Sequence, residues 1–224
     1  MIAMDKKVRD GRRGPRSFNR DGAVETAMRL FWRHGYEGVS VADLTTAIGI
    51  APPSLYAAFG SKAGLFREAL DRYALRPGAL DGLAAARTLE EAVGGLLRAA
   101  VRAVSDPDGE RGCMVSSGLI QCAAEHDDLA RDLLARRRAM RDAIARSLAR
   151  WIDPPEAGEM ANYLATVLQG LAVQARDGAD RAALEGIVAR VMDGIGARPP
   201  RDGAAGPGPQ GRKGARSSRP SGQD

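Results

Sequence analysis

Apolar residues recur every three or four positions along most of the chain, the spacing of helices that bury one face. Four helical segments precede Pro77, and they are predicted at 21–34, 41–47, 52–59 and from Ser61 onward. Asp21 and Ser61 are predicted to cap the first and fourth of them. No comparable alternating pattern indicates strands, so the sequence predicts an all-α protein.

Longer helices are predicted beyond Pro77, at 88–104, 113–124, 127–151, 156–176 and after Asp180. Gly94 and Gly95 fall inside one of them and indicate close packing or space for a pocket rather than nucleotide binding. The stretch 106–112 is expected to be a loop because it contains Pro and Gly. From residue 197 onward, Gly, Pro, Ser and Arg dominate without apolar periodicity, so a disordered tail is expected.

The segment 41–59 has the spacing of a helix-turn-helix, in which two short helices are joined by a tight turn. Gly49 can supply the positive φ that such a turn needs. A small core is expected from the apolar side chains of Leu44, Ile48, Ile50, Leu55 and Phe59. Ala42 and Ala47 are predicted to allow the two helices to cross closely.

The second of these helices has an outward face of short side chains and one phenol, namely Pro53, Ser54, Tyr56 and Ala57. Hydroxyl groups can reach phosphates or base edges in the major groove, and Pro or Ala can contact thymine methyl groups. The pattern therefore favours DNA binding through this helix over a purely structural helix pair.

Residues 27–73, AMRLFWRHGYEGVSVADLTTAIGIAPPSLYAAFGSKAGLFREALDRY, resemble the TetR/AcrR family of bacterial regulators. The matching positions are Phe31, Gly35, Tyr36, Leu44, Ile48, Gly49, Leu55, Tyr56, Phe59, Lys62 and Leu65. The resemblance implies a three-helix DNA-binding domain, a connecting fourth helix and a homodimer built on the last two long helices. It also implies a ligand pocket in the C-terminal domain and repression that the ligand relieves.

The resemblance further implies DNA contacts at particular positions of this chain. Ser40 and Lys62 are expected on phosphates, and Pro53, Ser54 and Tyr56 on the groove or its walls. An extended arm is expected to enter the minor groove through Arg12, Arg13 and Arg16. Ala57-Ala58 departs from the larger residues that often follow the Tyr in this family, which weakens any prediction of the base sequence.

The net charge of +5 is unevenly distributed. Residues 1–20 carry seven Lys/Arg against two Asp/Glu, residues 197–224 six against two, and the body between them twenty against twenty-four. Basic ends on a mildly acidic body are typical of chains that bind phosphate backbones. We interpret the N-terminal arm in this way and the C-terminal tail as solubilising.

Two cysteines are too few for a disulfide framework, which indicates a reducing compartment. There is no apolar run of about 18 residues or more, and residues 1–20 lack the apolar core of a signal peptide. We therefore expect a cytoplasmic protein without a membrane segment. Neither a glycine-rich phosphate loop nor a catalytic or metal-ligating group is found, so neither an enzyme nor a cofactor is expected.

The C-terminal half holds the candidate ligand-binding residues, which are Cys113, Met114, Trp151, Tyr163 and Gln169. Cys113 is placed near a helix N-terminus, which would lower the pKa of its thiol; the alternative is a buried small apolar residue. His126 is interpreted as an ordinary helix-start residue because no second His lies nearby.

These features predict a DNA-binding transcriptional regulator, a repressor that leaves its pseudo-palindromic operator when a small-molecule effector binds. One alternative is a redox or electrophile sensor acting through Cys113, and another is a non-specific architectural DNA-binding protein. Four parts are predicted: a basic arm (1–18), a helix-turn-helix domain with its linking helix (19–76), a helical regulatory and dimerisation domain (77–196) and a basic tail (197–224).

Overall fold

The computed structural model describes residues 18–119 and 122–196. Within these ranges the chain is helical, without strands, and the helices are α1 (Arg20–His34), α2 (Val41–Ile48), α3 (Pro52–Phe59), α4 (Lys62–Ala74), α5 (Leu89–Val104), α6 (Asp127–Leu148), α7 (Pro154–Arg176) and α8 (Arg181–Gly196). Short 3-10 helices occur at Ala79–Leu83 and Ala124–His126. None of the described helices is both long and apolar enough to cross a membrane. The predictions for Arg12, Arg13, Arg16 and the tail at 197–224 lie outside the described residues.

Side-chain caps define where the N-terminal helices begin. The Ser61 side chain accepts the Gly64 N–H at 3.0 Å, which confirms the predicted cap of α4. The prediction for α1 is wrong by two residues, because the Asn19 side chain accepts the Gly22 N–H at 3.0 Å. Asp21 instead lies in the first turn and forms an ion pair with Arg72 at 2.9 Å.

The predicted helix at 113–124 is wrong. The chain forms turns from Met114 to Leu119, and Leu119 has a positive φ of 45°. The Arg137 side chain, from α6, donates hydrogen bonds to the carbonyls of Val115 and Gly118 at 3.0 and 3.1 Å. A helix would need these carbonyls for its own amides, so the contact with Arg137 replaces helical bonding in this segment.

The predicted end of the helix at 127–151 and the predicted start of the helix at 156–176 also differ from the structure. Helix α6 ends at Leu148, before Trp151, whose indole N–H donates to the Arg87 carbonyl at 3.0 Å. The two prolines open α7 at its first two positions instead of preceding it. Proline suits these positions because its missing N–H would have no partner there.

Two apolar cores hold the chain together. One is formed by residues of α5, α6, α7 and α8, with Leu83 and Ala86 from the segment before α5. The other joins α1, α2, α3 and α4, and it also takes in Met114, Leu129 and Leu133 from the C-terminal half. The N-terminal helices therefore complete their core with side chains from beyond residue 76.

Candidate nucleic-acid interface and cavity

Helices α2 and α3 form the predicted helix-turn-helix. Gly49 has φ 77° and ψ 38°, and its N–H donates to the Thr45 carbonyl at 2.9 Å. Leu44 and Leu55 are fully buried between the helices. Ala42 and Ala47 are exposed, so the prediction that they lie at the helix crossing is wrong.

The outward face of α3 carries Pro53, Ser54, Tyr56 and Ala57, all of them exposed, as expected from the sequence. Tyr56 is 49% exposed and projects beside the buried Leu55. Pro52 and Pro53 lack amide protons, and the Ser54 N–H already donates to the Ala51 carbonyl at 2.9 Å. Side chains rather than backbone amides are therefore what α3 offers to a partner at its start.

Ser40 lies at the start of α2 within a capping box. Its hydroxyl accepts the Asp43 N–H at 3.1 Å and donates to the Asp43 carboxylate at 2.7 Å, while its own N–H donates to the same carboxylate at 2.8 Å. These hydrogen bonds hold the pKa of Asp43 below its ordinary value. The Ser40 side chain is thus engaged in the cap, and the first-turn amides of Val41 and Ala42 remain without partners inside the helix.

Lys62, at the start of α4, is half-buried against an aromatic ring. Its ammonium nitrogen lies 4.1 Å from the centre of the Tyr36 ring. Burial lowers the pKa of Lys62, while the nearby carboxylates of Glu37 and Asp43 act in the opposite direction. His126 packs edge-on against the same ring at 4.8 Å between ring centres, a contact that the sequence does not predict.

A cavity of about 750 Å³ lies where the two halves of the chain meet. Trp32, Tyr73 and Arg76 line it from the N-terminal half. The opposite wall comes from α5, α6 and α7, with Ala100, Met140 and Leu168 among its residues. Because these positions are far apart in sequence, periodicity alone does not group them around one cavity.

Cys113 lies in the wall of this cavity and is half-buried. Its sulfur accepts the Ser116 N–H at 3.4 Å. It also lies beside the Tyr73 hydroxyl, whose pKa is raised chiefly by burial. No helix begins at Cys113, so the prediction that its thiol lies near a helix N-terminus is wrong.

The other four predicted ligand-binding residues do not line this cavity. Met114 is buried in the N-terminal core, where its side chain packs with Leu129 and Leu133. Trp151 donates its indole N–H to the Arg87 carbonyl in a hydrogen bond. Tyr163 is 48% exposed on α7, and Gln169 is half-buried on the same helix.

Metal-ligating side chains are dispersed within the described residues. No group of three or more His, Cys, Asp or Glu residues there is placed to hold a metal ion. His126 lies 3.5 Å from Glu125 and is otherwise engaged with the Tyr36 ring. Within the described residues, the candidate site therefore consists of the outward face of α3 and the cavity between the two halves of the chain.

Known proteins resemble this chain in both sequence and structure. Residues 23–69 match the family described as bacterial regulatory proteins, tetR family. The HTH-type transcriptional repressor ComR of Escherichia coli (strain K12) is 33% identical over 187 residues, which cover 77% of this chain and 86% of ComR. The repressor BdcR of the same strain is 38% identical over 171 residues, covering 73% of this chain and 82% of BdcR.

A solved structure of the TetR family transcriptional regulator CifR is also similar. It is a cysteine mutant complexed with 26bp double-strand operator DNA, and it has a TM-score of 0.75 and 39% identity to this chain. The match covers 80% of this chain and 98% of the CifR chain. The likeness therefore extends through both the helix-turn-helix and the helices that enclose the cavity.

Proposed function

The chain belongs to the TetR family of bacterial regulators, and we propose that it is a transcriptional repressor that a small-molecule effector releases from its operator. The observation that carries the proposal is the outward face of α3, which presents Pro53, Ser54 and Tyr56 on a helix-turn-helix. A helix in this position enters the major groove in helix-turn-helix proteins. The proposal assigns no catalytic step to the chain.

A homodimer is the form in which we propose that the protein binds DNA. Two copies of α3 then occupy successive major grooves of a pseudo-palindromic operator, since the symmetry of the site mirrors that of the dimer. Tyr163 and Val173 on α7 and Ile187 on α8 are large apolar side chains exposed in the single chain. Their exposure supports a dimer interface on these two helices.

DNA contacts are proposed for the same positions that the sequence analysis predicts. Ser54 and Tyr56 contact the groove walls, Pro53 contacts a base edge or methyl group, and Lys62 pairs with a phosphate. Ser40 anchors a phosphate at the start of α2, where the free first-turn amides contribute as donors. The basic arm with Arg12, Arg13 and Arg16 is proposed for the flanking minor groove.

The chain is proposed to divide into the same four parts that the sequence predicts. Residues 19–76 read DNA, and residues 77–196 form the regulatory and dimerisation part, with basic segments at 1–18 and 197–224. The N-terminal core takes in side chains from α6, so the two parts are expected to move together rather than as independent units. Such shared packing is what allows an effector to influence the DNA-reading helices.

The cavity is proposed as the effector site because residues of both 19–76 and 77–196 line it. Tyr73 and Arg76 lie at the end of α4 and line the cavity directly. The Trp32 indole N–H donates to the Gly112 carbonyl at 3.1 Å, and the Arg176 side chain donates to the Trp32 carbonyl at 2.8 Å. A ligand that displaces these groups is expected to change the spacing of the two α3 helices and so to weaken operator binding. Operator DNA must then weaken ligand binding by the same factor.

The test is a gel-shift titration of DNA upstream of the gene, with excess non-specific competitor and a fixed salt concentration. Tyr56→Ala is expected to lower specific affinity about ten-fold or more, because each subunit loses a contact in the groove. The control is Leu134→Ala, which removes a side chain that is 40% exposed on α6, outside α3 and outside the helices proposed for the dimer interface. Sedimentation and circular dichroism establish that each variant is a folded dimer, and unchanged DNA affinity of folded Tyr56→Ala would contradict the assignment of α3.

An electrophile or oxidant acting at Cys113 is retained as a second candidate for the signal. The supporting observation is the position of the thiol in the cavity wall, beside Tyr73 and Ser116. Alkylation that abolishes specific DNA binding of the wild type but not of Cys113→Ser would favour this candidate. Binding that survives complete alkylation would favour a non-covalent effector.

A further inference from the structure

We propose that the effector is an uncharged, largely apolar molecule with one hydrogen-bonding group, and that this group binds the Ser116 hydroxyl. The inference rests on the proposed function, since it specifies the chemistry of the ligand for the same cavity. It is carried by three features of the cavity: its apolar wall, the pairing of most of its charged groups and one hydroxyl in its wall that makes no hydrogen bond with the described residues.

The wall is built mainly from small and apolar side chains. Ala99, Ala100, Ala103 and Val104 form one side from α5, and Met140 contributes from α6. A volume of about 750 Å³ falls within the range of small-molecule sites, which are mostly apolar with a few placed polar groups. Such a wall binds a ligand through the apolar area that it removes from water.

Most charged groups around the cavity already have partners within the protein. Arg76 pairs with Asp106 at 3.2 Å, and Arg136 pairs with Asp71. The Asp81 carboxylate accepts the Gly78 N–H at 2.9 Å. A charged ligand would have to displace these contacts or leave its own charge desolvated, so the arrangement favours a neutral ligand.

Arg102 differs from these residues, since it lines the cavity without an ion pair to any described residue. Its side chain is exposed, so water already solvates its charge. An ion pair at such a position adds little to affinity because solvent screens it. Arg102 therefore offers a weak anion contact at the surface rather than a charged group in the interior.

Ser116 contributes a hydroxyl group to the cavity wall. It is only 6% exposed and lies in the cavity wall. Its backbone N–H donates to the Cys113 sulfur, while its hydroxyl makes no hydrogen bond with the described residues. A hydroxyl in the cavity wall can both donate and accept hydrogen bonds, so this one is suited to a carbonyl or hydroxyl group of a ligand. Cys113 and Tyr73 complete the polar corner around it.

The test uses the full-length protein and three probes with ten-carbon chains: decan-2-one, decanoate and decylamine. Trp32 lines the cavity, so binding is followed by a change in tryptophan emission. Decan-2-one is expected to bind saturably and more tightly than either charged probe. Tighter binding of decanoate or decylamine, or no saturable binding of the ketone, would overturn the neutral class.

Substitutions test the role of Ser116 separately. Ser116→Ala is expected to weaken decan-2-one binding about five-fold, the loss of one neutral hydrogen bond. Ser116→Thr retains the hydroxyl and is expected to bind the ketone nearly as the wild type does. Ser147→Ala is the control because this α6 residue does not line the cavity. Equal affinity of wild type and Ser116→Ala would overturn the assignment, and thermal unfolding verifies that both Ser116 variants fold.

A gel shift of the ligand-free protein separates this inference from the proposed function. Specific DNA binding without ketone binding overturns the ligand class and leaves the repressor proposal intact. Ketone binding that depends on Ser116, in a protein that shows no specific operator among genome-wide selected sites, supports the ligand class and contradicts the repressor proposal.

Discussion

Gly49 occupies a left-handed backbone conformation at the turn between α2 and α3, with φ 77°. A Cβ added there would meet nothing within 4 Å, so a substitution is limited by backbone strain and not by a clash. Gly49→Ala is expected to lower the free energy of unfolding by about 1–2 kcal/mol, the cost of this conformation for a residue with a side chain. Urea denaturation measures the change.

Gly158, inside α7, is the matched control because a Cβ there also meets nothing within 4 Å but the backbone is helical. Gly158→Ala is expected to raise the free energy of unfolding by about 0.5–1 kcal/mol, since glycine loses more backbone entropy in a helix. The same sign for both substitutions would show that φ is not what makes Gly49 necessary.

The stability that the capping box of α2 contributes is expected to depend on pH through the Asp43 carboxylate. Hydrogen bonds from Ser40 lower the pKa of Asp43 below its ordinary value of 3.8 in the folded protein. A lowered folded pKa gives stabilisation that is complete above the unfolded pKa and is lost as pH falls through the folded pKa. The wild type is therefore expected to exceed Asp43→Asn in stability near neutral pH, and this difference should shrink below pH 3.8.

Urea midpoints of both proteins between pH 6 and about pH 2.5 provide the comparison. The difference between the two proteins matters, because other carboxylates titrate equally in both. A difference that stays constant or grows on acidification would mean that the Asp43 carboxylate does not stabilise the folded state through its charge.

Among the elements, α5 and the 3-10 helix at Ala79–Leu83 approach through two glycines. A Cβ added to Gly95 would lie 2.3 Å from the Gly82 carbonyl oxygen, which confirms the predicted close packing for Gly95. Gly95→Ala is expected to lower the free energy of unfolding by about 1–3 kcal/mol, because one of the two backbones must move. Thermal or urea unfolding measures this loss.

Gly94 is the adjacent residue of the same helix and supplies the control. A Cβ at Gly94 would approach only the end of the Arg98 side chain, which can move aside. Gly94→Ala is therefore expected to leave stability unchanged or to raise it by up to about 1 kcal/mol through helix propensity. Comparable losses for both variants would contradict backbone contact as the cause.

At the scale of the whole molecule, the N-terminal core depends on α6. Leu133 is fully buried in that core, whereas its neighbour Leu134 is 40% exposed. Leu133→Ala is expected to cost about 2–5 kcal/mol of unfolding free energy through the cavity it leaves. Leu134→Ala is expected to change it by about 0.5 kcal/mol or less. Equal effects would mean that α6 does not hold the N-terminal helices.

Ion pairs also join the two halves across the same boundary. Arg67 on α4 contacts Asp128 and Asp132 on α6, and Arg33 on α1 contacts Glu110 in the loop after α5. Exposed pairs of this kind contribute little to stability and are screened by salt. They join α1 and α4 to the C-terminal half, while the apolar contacts supply most of the stabilising free energy.

Helix boundaries near the N-terminus could be predicted closely from sequence, because their signals are local. Ser40, Gly49, Pro52 and Ser61 act within one turn of their own positions. The predicted outward face of α3 is confirmed for the same reason, since burial of Leu55 and Phe59 fixes which side of a short helix faces solvent.

Capping residues, turn glycines and apolar spacing act over a few neighbouring positions, so they were sufficient to predict the all-α class and the helix-turn-helix. The resemblance of residues 27–73 indicated the family. Contacts between distant segments place 113–119 in turns around Arg137 and bring Cys113 and Ser116 into one cavity with Trp32 and Tyr73, and neither arrangement was predicted from the sequence. These outcomes depend on side chains from distant parts of the chain competing for the same carbonyls and the same space, and periodicity along the chain does not register that competition.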